Sequence, residues 1–239
     1  MQINGITREI DNKQFLIIIN IRLSWTVRTA IRASKLFQKQ RIPSAGYTEW
    51  EGVSYQHGHE NIETLLTLCL PDDRREAAKF VNESRKIEWL AWHALLQTLH
   101  PGAKASYDPQ GGPILDVNLH IGVSHTRNYA AVILAPTPCA IDIENIERDF
   151  SRALPRYTTP QEQLIGTTLP NPQLYPALFW CSKEALYKLK RNSGIDFLQD
   201  LHINAVDPNN RTIQARAQET HHMLHYLEQN SLCCVYAWE

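Results

Sequence analysis

The chain has 239 residues, 43% hydrophobic and 21% charged, with a formal net charge of -1. That length suits one large domain or two small lobes with a real core, and the balanced charge gives no bulk electrostatic case for nucleic acid or an anionic membrane. The cysteines (Cys69, Cys139, Cys181, Cys233, Cys234) are odd in number and form no Cys-x-x-Cys, which argues against a disulfide framework or zinc ribbon and for a reducing compartment. The opening residues carry no basic region followed by an apolar run, and FLIII (15–19) is far too short to span a bilayer, so a soluble, cytoplasmic protein is expected.

In chain order, FLIIINIRL (15–23) reads as a buried strand, since it is apolar and β-branched. A basic, helix-like segment (27–40) follows, then a polar, aromatic strand-and-loop region (47–60). The longest helical pattern starts at Pro71, keeps apolar residues at helical spacing through Leu99 and stops at Pro101-Gly102. YDPQGGP (107–113) is a turn. Three short apolar runs, VNLHIGVS, YAAVILA and CAIDIEN, are separated by loop-sized breaks and predict a three-strand antiparallel meander. Helix candidates lie in 146–168 and again in WCSKEALYKLK (180–190). FLQDLHINAVDPNNRTIQARAQ predicts two strands around Asp207-Pro208-Asn209-Asn210, and LCCVYAW closes the chain as a strand. The expected lobe boundary is near 117–120, giving an N-terminal lobe 1–118 and a C-terminal lobe 119–239.

Chemistry concentrates in three places. In the strand CAIDIEN, Ala140, Asp142 and Glu144 point to one face and Ile141 and Ile143 to the other. The two carboxylates then lie roughly 7 Å apart, two strand rises, and call either for a cation such as Mg²⁺ between them or for a solvated edge. In WCSKEALYK, Leu178, Cys181, Ser182, Ala185, Leu186 and Leu189 form one helix face; Trp180, Glu184, Tyr187, Lys188 and Arg191 form the other. Glu184 and Lys188, four apart, read locally as a surface ion pair. Ser124 and His125 end a strand, where hydroxyl, imidazole and backbone N–H groups could hold a phosphate. Metal readings of His57/His59 and of His221/His225 are weak, because neither has the H-E-x-x-H pattern, and glycine-rich phosphate loops and nucleophile elbows are absent.

The order VSHT (123–126), AIDIE (140–144), WCSKEALYK (180–188) resembles the 4′-phosphopantetheinyl transferase superfamily, in its larger single-chain, two-lobed form. The likeness extends more weakly to RKIEWLAWHALL (85–96), YDPQGGPIL (107–115) and DFLQDLHI (196–203) and leaves the first 60 residues unmatched. It implies an α+β fold of two pseudo-symmetric lobes, each a small antiparallel sheet on a long helix, with the N-terminal lobe contributing coenzyme A and carrier contacts. It implies transfer of phosphopantetheine from coenzyme A to a serine of an acyl or peptidyl carrier protein, with release of 3′,5′-ADP, by a monomer without nucleic-acid or membrane partners. By the same resemblance Asp142, Glu144 and Glu184 hold Mg²⁺, Glu184 and Lys188 are catalytic, and Ser124, His125, Lys183, Lys188, Arg85, Lys86 and His93 contact coenzyme A. Three departures stand out. Gly112 occupies the family's Gly-Lys-Pro lysine, His93 a helix arginine, and Ala140 a glycine. They support an alternative, a carrier-binding homologue without catalysis and with a weakened coenzyme A site. A metal-dependent nucleotide hydrolase fits the Ser-His and Trp-Lys-Glu spacing poorly.

Overall fold

Two antiparallel sheets packed face to face position everything that follows. The computed structural model describes residues 5–9, 15–20, 62–127, 129–191, 194–229 and 231–239; the expected segments 27–40 and 47–60 lie outside them. The first sheet has the order β1-β2-β6-β5, built from β1 (Gly5–Glu9), β2 (Phe15–Asn20), β5 (His120–Thr126) and β6 (Tyr129–Ala135). The second has the order β7-β11-β10-β9-β8, built from β7 (Cys139–Asn145), β8 (Leu201–Asp207), β9 (Thr212–Ala217), β10 (Thr220–Gln229) and β11 (Leu232–Trp238). A two-stranded ribbon, β3 (Ala105–Tyr107) with β4 (Pro113–Leu115), brackets the GGP turn.

Strand alternation makes the layers. On β6, Ala130, Val132 and Leu134 pack on α3 (Glu83–Leu99), while Ala131, Ile133 and Ala135 face the second sheet. Ile141, Ile143, Cys234 and Tyr236 answer from the other side of that inter-sheet core. The opposite face of β7 and β11, with Ala140, Cys233, Val235 and Ala237, packs on α5 (Tyr175–Lys190). The result is a helix–sheet–sheet–helix stack, a mixed helix-and-sheet fold of the expected class.

Two expectations are corrected. The meander has only two strands, because β7 pairs with β11 (Asp142 opposite Val235, Glu144 opposite Cys233) rather than with β6. Since β5 and β6 join the sheet of β2, the chain passes from one sheet to the other at 136–138. The single long helix from Pro71 is also two: α2 (Pro71–Ala77) and α3, with Asn82 starting the second by accepting a hydrogen bond from the Arg85 amide at 3.2 Å. A further helix, α1 (Ile62–Leu68), precedes them, and α4 (Pro160–Thr167) precedes α5. No described helix is long and apolar enough to cross a membrane.

The sheets meet edge to edge where β5 runs beside β7. Gly122 makes that approach possible. A Cβ there would lie 2.8 Å from Ile133 Cγ2 and 3.0 Å from the Ala140 backbone, so any side chain would force the strands apart. At the far end of α5, Arg191 takes a left-handed conformation, with φ 48°. Its guanidinium donates to Asp108 and to the Pro113 carbonyl, tying the ribbon to the helix.

Candidate active site

The seam between β5, β7 and α5 gathers the acids. Asp142 and Glu144 alternate toward α5 as the strand period requires, and they are 6% and 9% exposed, which excludes a solvated edge. Asp142 Oδ1 accepts hydrogen bonds from Lys188 Nζ at 2.6 Å and from Ser124 Oγ at 2.8 Å. Lys188 Nζ also donates to the Ile141 carbonyl at 3.2 Å, so it is anchored at two points. Glu144 Oε2 accepts from Thr126 Oγ1 at 3.0 Å, and Glu144 Oε1 is ion-paired with Arg148. Asp142 Oδ2 is buried without a hydrogen-bond partner.

The helix supplies the third acid. Glu184 has no direct cationic partner among the described residues; Lys188, expected to pair with it, reaches across to Asp142 instead. Burial, then the charge of Asp142, push the Glu184 carboxyl above its usual value; Lys188 opposes this and Glu144 adds to it. Three carboxylates face two cations, Lys188 and Arg148, so the seam carries a surplus negative charge. Trp180 stacks edge-on to Tyr157 at 5.1 Å and lies 5.9 Å from Phe197, and Arg148 sits 5.7 Å over its ring. Its place on the polar face of the helix is thereby accounted for.

Ser124 is buried. Its hydroxyl donates to Asp142 and accepts from the Ile143 amide at 3.2 Å, so it stitches β5 to β7 and fixes the carboxylate. His125 is exposed beyond it, with Nδ1 3.7 Å from Glu88 Oε2. At the start of α3 Arg85 is exposed and Lys86 half-buried, and Arg85 lies 3.5 Å from the same Glu88.

Two expected coenzyme A contacts are corrected. Lys183 has no exposure. Its ammonium pairs with Glu162 at 2.9 Å and donates to the Phe197 carbonyl at 2.9 Å, so it belongs to the core and cannot reach a ligand from there. His93 is 1% exposed, wedged against Trp89 and Trp92, and donates from Nδ1 to the Trp89 carbonyl. Burial lowers its pKa to about 4, so it is neutral at ordinary pH and offers no cation to a phosphate. His221 and His225 lie on strand β10, where a spacing of four is roughly 13 Å and not one helical turn, so they form no chelating pair. His57 and His59 lie outside the described residues.

Sequence reasoning missed Thr126, Arg148 and Glu162. Glu162 was legible as the last residue of Thr-Pro-Gln-Glu, a capping box: Thr159 Oγ1 accepts from the Glu162 amide while Glu162 Oε2 accepts from the Thr159 amide. Lys183 shares its helical stripe with Phe179 and Leu186, both fully buried, and that spacing was the available sign of its fate.

Residues 138–237 match the model of the 4′-phosphopantetheinyl transferase superfamily. The match starts where the second sheet starts and contains Asp142, Glu144, Glu184 and Lys188; Ser124 and His125 precede it. This segment is thus similar to enzymes that move phosphopantetheine, as the motif order implied. No curated protein matches the chain.

Among the described residues no three His, Cys, Asp or Glu side chains are gathered as closely as a bound metal ion requires. The chemistry of the seam nevertheless fits one. Its donors are all oxygen, one buried carboxylate oxygen has no partner, and burial together with the Asp142 charge raises the Glu184 carboxyl.

Proposed function

We propose that the chain is a 4′-phosphopantetheinyl transferase, which moves phosphopantetheine from coenzyme A to a serine hydroxyl of an acyl or peptidyl carrier protein and releases 3′,5′-ADP. The observation that carries this reading is the surplus of carboxylates over cations at the β7–α5 seam, inside the segment that matches the superfamily. Asp142, Glu144 and Glu184 would hold Mg²⁺, which would supply a counter-charge to the pyrophosphate and its leaving oxygen.

The chain's own residues do the remaining work. Lys188, anchored on the Ile141 carbonyl, presents its ammonium to the charge that develops on the leaving phosphate. Glu184, the acid with the raised proton affinity, accepts the proton of the attacking serine. Ser124 and Thr126 hold Asp142 and Glu144 in orientation. Exposed His125 and Arg85 and half-buried Lys86 form the phosphate-contacting set, from which Lys183 and His93 are removed.

The first half of the chain, with its sheet and α3, contributes coenzyme A and carrier contacts; the second carries the catalytic groups. The two halves, each a sheet with a long helix on its outer face, are read as pseudo-symmetric lobes with the substrate cleft between them. The protein is read as a cytoplasmic monomer. A second reading, a carrier-binding homologue without catalysis, draws on the burial of His93 and Lys183, which leaves fewer cations for coenzyme A.

One experiment separates them. The protein is incubated with coenzyme A, MgCl₂ and a panel of carrier proteins, and intact carrier masses are measured. A gain of one phosphopantetheine group on a carrier, lost in Asp142→Ala, supports the transferase. Carrier binding with no mass gain on any carrier supports the second reading.

A further inference from the structure

Both oxygens of Glu144 are already occupied. Thr126 donates to Oε2 at 3.0 Å, and Arg148 pairs with Oε1. The Arg148 side chain is 46% exposed and the Glu144 side chain 12%, so the guanidinium covers the carboxylate from the solvent side. Behind it stand two aromatic faces, Phe150 at 5.1 Å and Trp180 at 5.7 Å from the guanidinium carbon. Trp180 lies one helical turn before Glu184. Lys188 differs from Arg148: the backbone carbonyl of Ile141 and the nearly closed Asp142 both hold it in place.

We propose that Arg148 is a displaceable counter-cation of the metal site: it holds Glu144 Oε1 in the metal-free protein and withdraws onto the faces of Phe150 and Trp180 when a divalent cation binds. The inference rests on the proposed role of Asp142, Glu144 and Glu184 as Mg²⁺ ligands. A guanidinium and a metal ion drawn to the same carboxylate oxygen repel each other and crowd its lone pairs, so the two compete. Pairing with Arg148 offsets the repulsion among three carboxylates while no metal is present. The aromatic faces give the guanidinium a second resting place close by, which keeps the exchange inexpensive. Metal affinity is thereby set lower than the three acids alone would give, and metal binding moves a cation across the ring of Trp180.

The test titrates the full chain with MgCl₂ alone, without coenzyme A or carrier, and follows heat and tryptophan emission. Arg148→Met is expected to bind Mg²⁺ on the order of tenfold more tightly than wild type, the effect of removing about 1.4 kcal/mol of competition. Wild-type emission is expected to change on Mg²⁺ binding, and that change is lost in both Trp180→Phe and Arg148→Met. The wild-type and Trp180→Phe emission traces need no Arg148 variant, and Mg²⁺ binding by wild type with no change in emission overturns the inference even if Arg148→Met folds poorly. Equal or weaker Mg²⁺ binding by Arg148→Met, with wild-type binding abolished in Asp142→Ala, overturns the counter-cation and leaves the metal site standing. Absence of binding by wild type and Arg148→Met alike overturns both.

Discussion

Helix α5 carries two buried ion clusters, five residues apart, and they are built to opposite specifications. Around Lys183 everything is matched. One ammonium meets one carboxylate, Glu162, whose oxygens also accept from the Thr159 amide at 2.7 Å and the Ile203 amide at 2.8 Å. Around Lys188 the sum does not close, with three carboxylates, two cations and an orphaned Asp142 Oδ2. Burial alone therefore does not mark a working residue. A saturated cluster holds α4, α5 and β8 together, whereas an unsaturated one stores affinity for something not in the chain.

Breaking the saturated cluster gives the largest expected loss of stability. Lys183→Met leaves Glu162 ionised and unpaired in the core, which should cost on the order of 3–5 kcal/mol. Chemical denaturation measures it directly. A loss under about 1 kcal/mol, the value of an exposed pair, would erase the distinction drawn between the two clusters. At the seam the same kind of deletion should act on the reaction instead. Asp142→Ala should lower carrier modification by roughly 10²–10³-fold, several kcal/mol of transition-state stabilisation, while the far-ultraviolet dichroism stays that of the wild type. Near-normal transfer would remove Asp142 from the site.

The sequence made part of this contrast visible. Period-two alternation put Asp142 and Glu144 on one face of β7, and period 3.6 put Leu178, Cys181, Ser182, Ala185, Leu186 and Leu189 of α5 on one buried stripe. Pairing was less accessible. Whether β7 joins β6, a few residues away, or β11, roughly 90 residues on, depends on burying both faces of the strand, and local spacing carries no information on that. Cation roles failed for a related reason. Lys183 and His93 match motif positions, but a motif position names a residue and not the direction its side chain takes. That direction is set by Glu162 and by the Trp89 and Trp92 rings, which lie on other turns or other elements.

His93 sharpens the comparison through pH. A base with a lowered folded-state pKa is protonated first in the unfolded chain, so its contribution is lost as pH falls from the ordinary 6.5 toward about 4. The full span corresponds to a loss of roughly 3 kcal/mol. Asp73, whose carboxyl faces the imidazole at 3.6 Å, is raised by burial and works in the opposite direction at the acid end, softening the fall. His93→Gln should be less stable at pH 7 yet show a flatter stability profile between 6.5 and 4. Coenzyme A affinity of the wild type should carry no His93 component between about pH 5.5 and 8, the range of an unperturbed imidazole. A binding step in that range that disappears in His93→Gln would return His93 to the ligand site.

The smallest effect concerns Glu184. Its carboxyl is raised by burial and by Asp142, so the folded protein binds its proton more readily than the unfolded chain does. Stability then falls as pH rises from the ordinary glutamate value of 4.5 through the raised one. Glu184→Gln removes one of three like charges and should raise metal-free stability at pH 7. Relief of one repulsion at this half-buried carboxylate is on the order of 1 kcal/mol, or roughly 2–4 °C in Tm for a chain of this size. The gain should shrink as pH is lowered through the same window, because the wild-type carboxyl becomes neutral too. It should reverse when MgCl₂ is added, since the wild type alone keeps all three acids for the cation. At the Lys183 cluster the corresponding neutralisation, Glu162→Gln, should destabilise at every pH and show no response to Mg²⁺. A Glu184→Gln variant that is less stable than wild type at pH 7 without metal would mean that the seam, like the cluster around Lys183, is already saturated by its own chain.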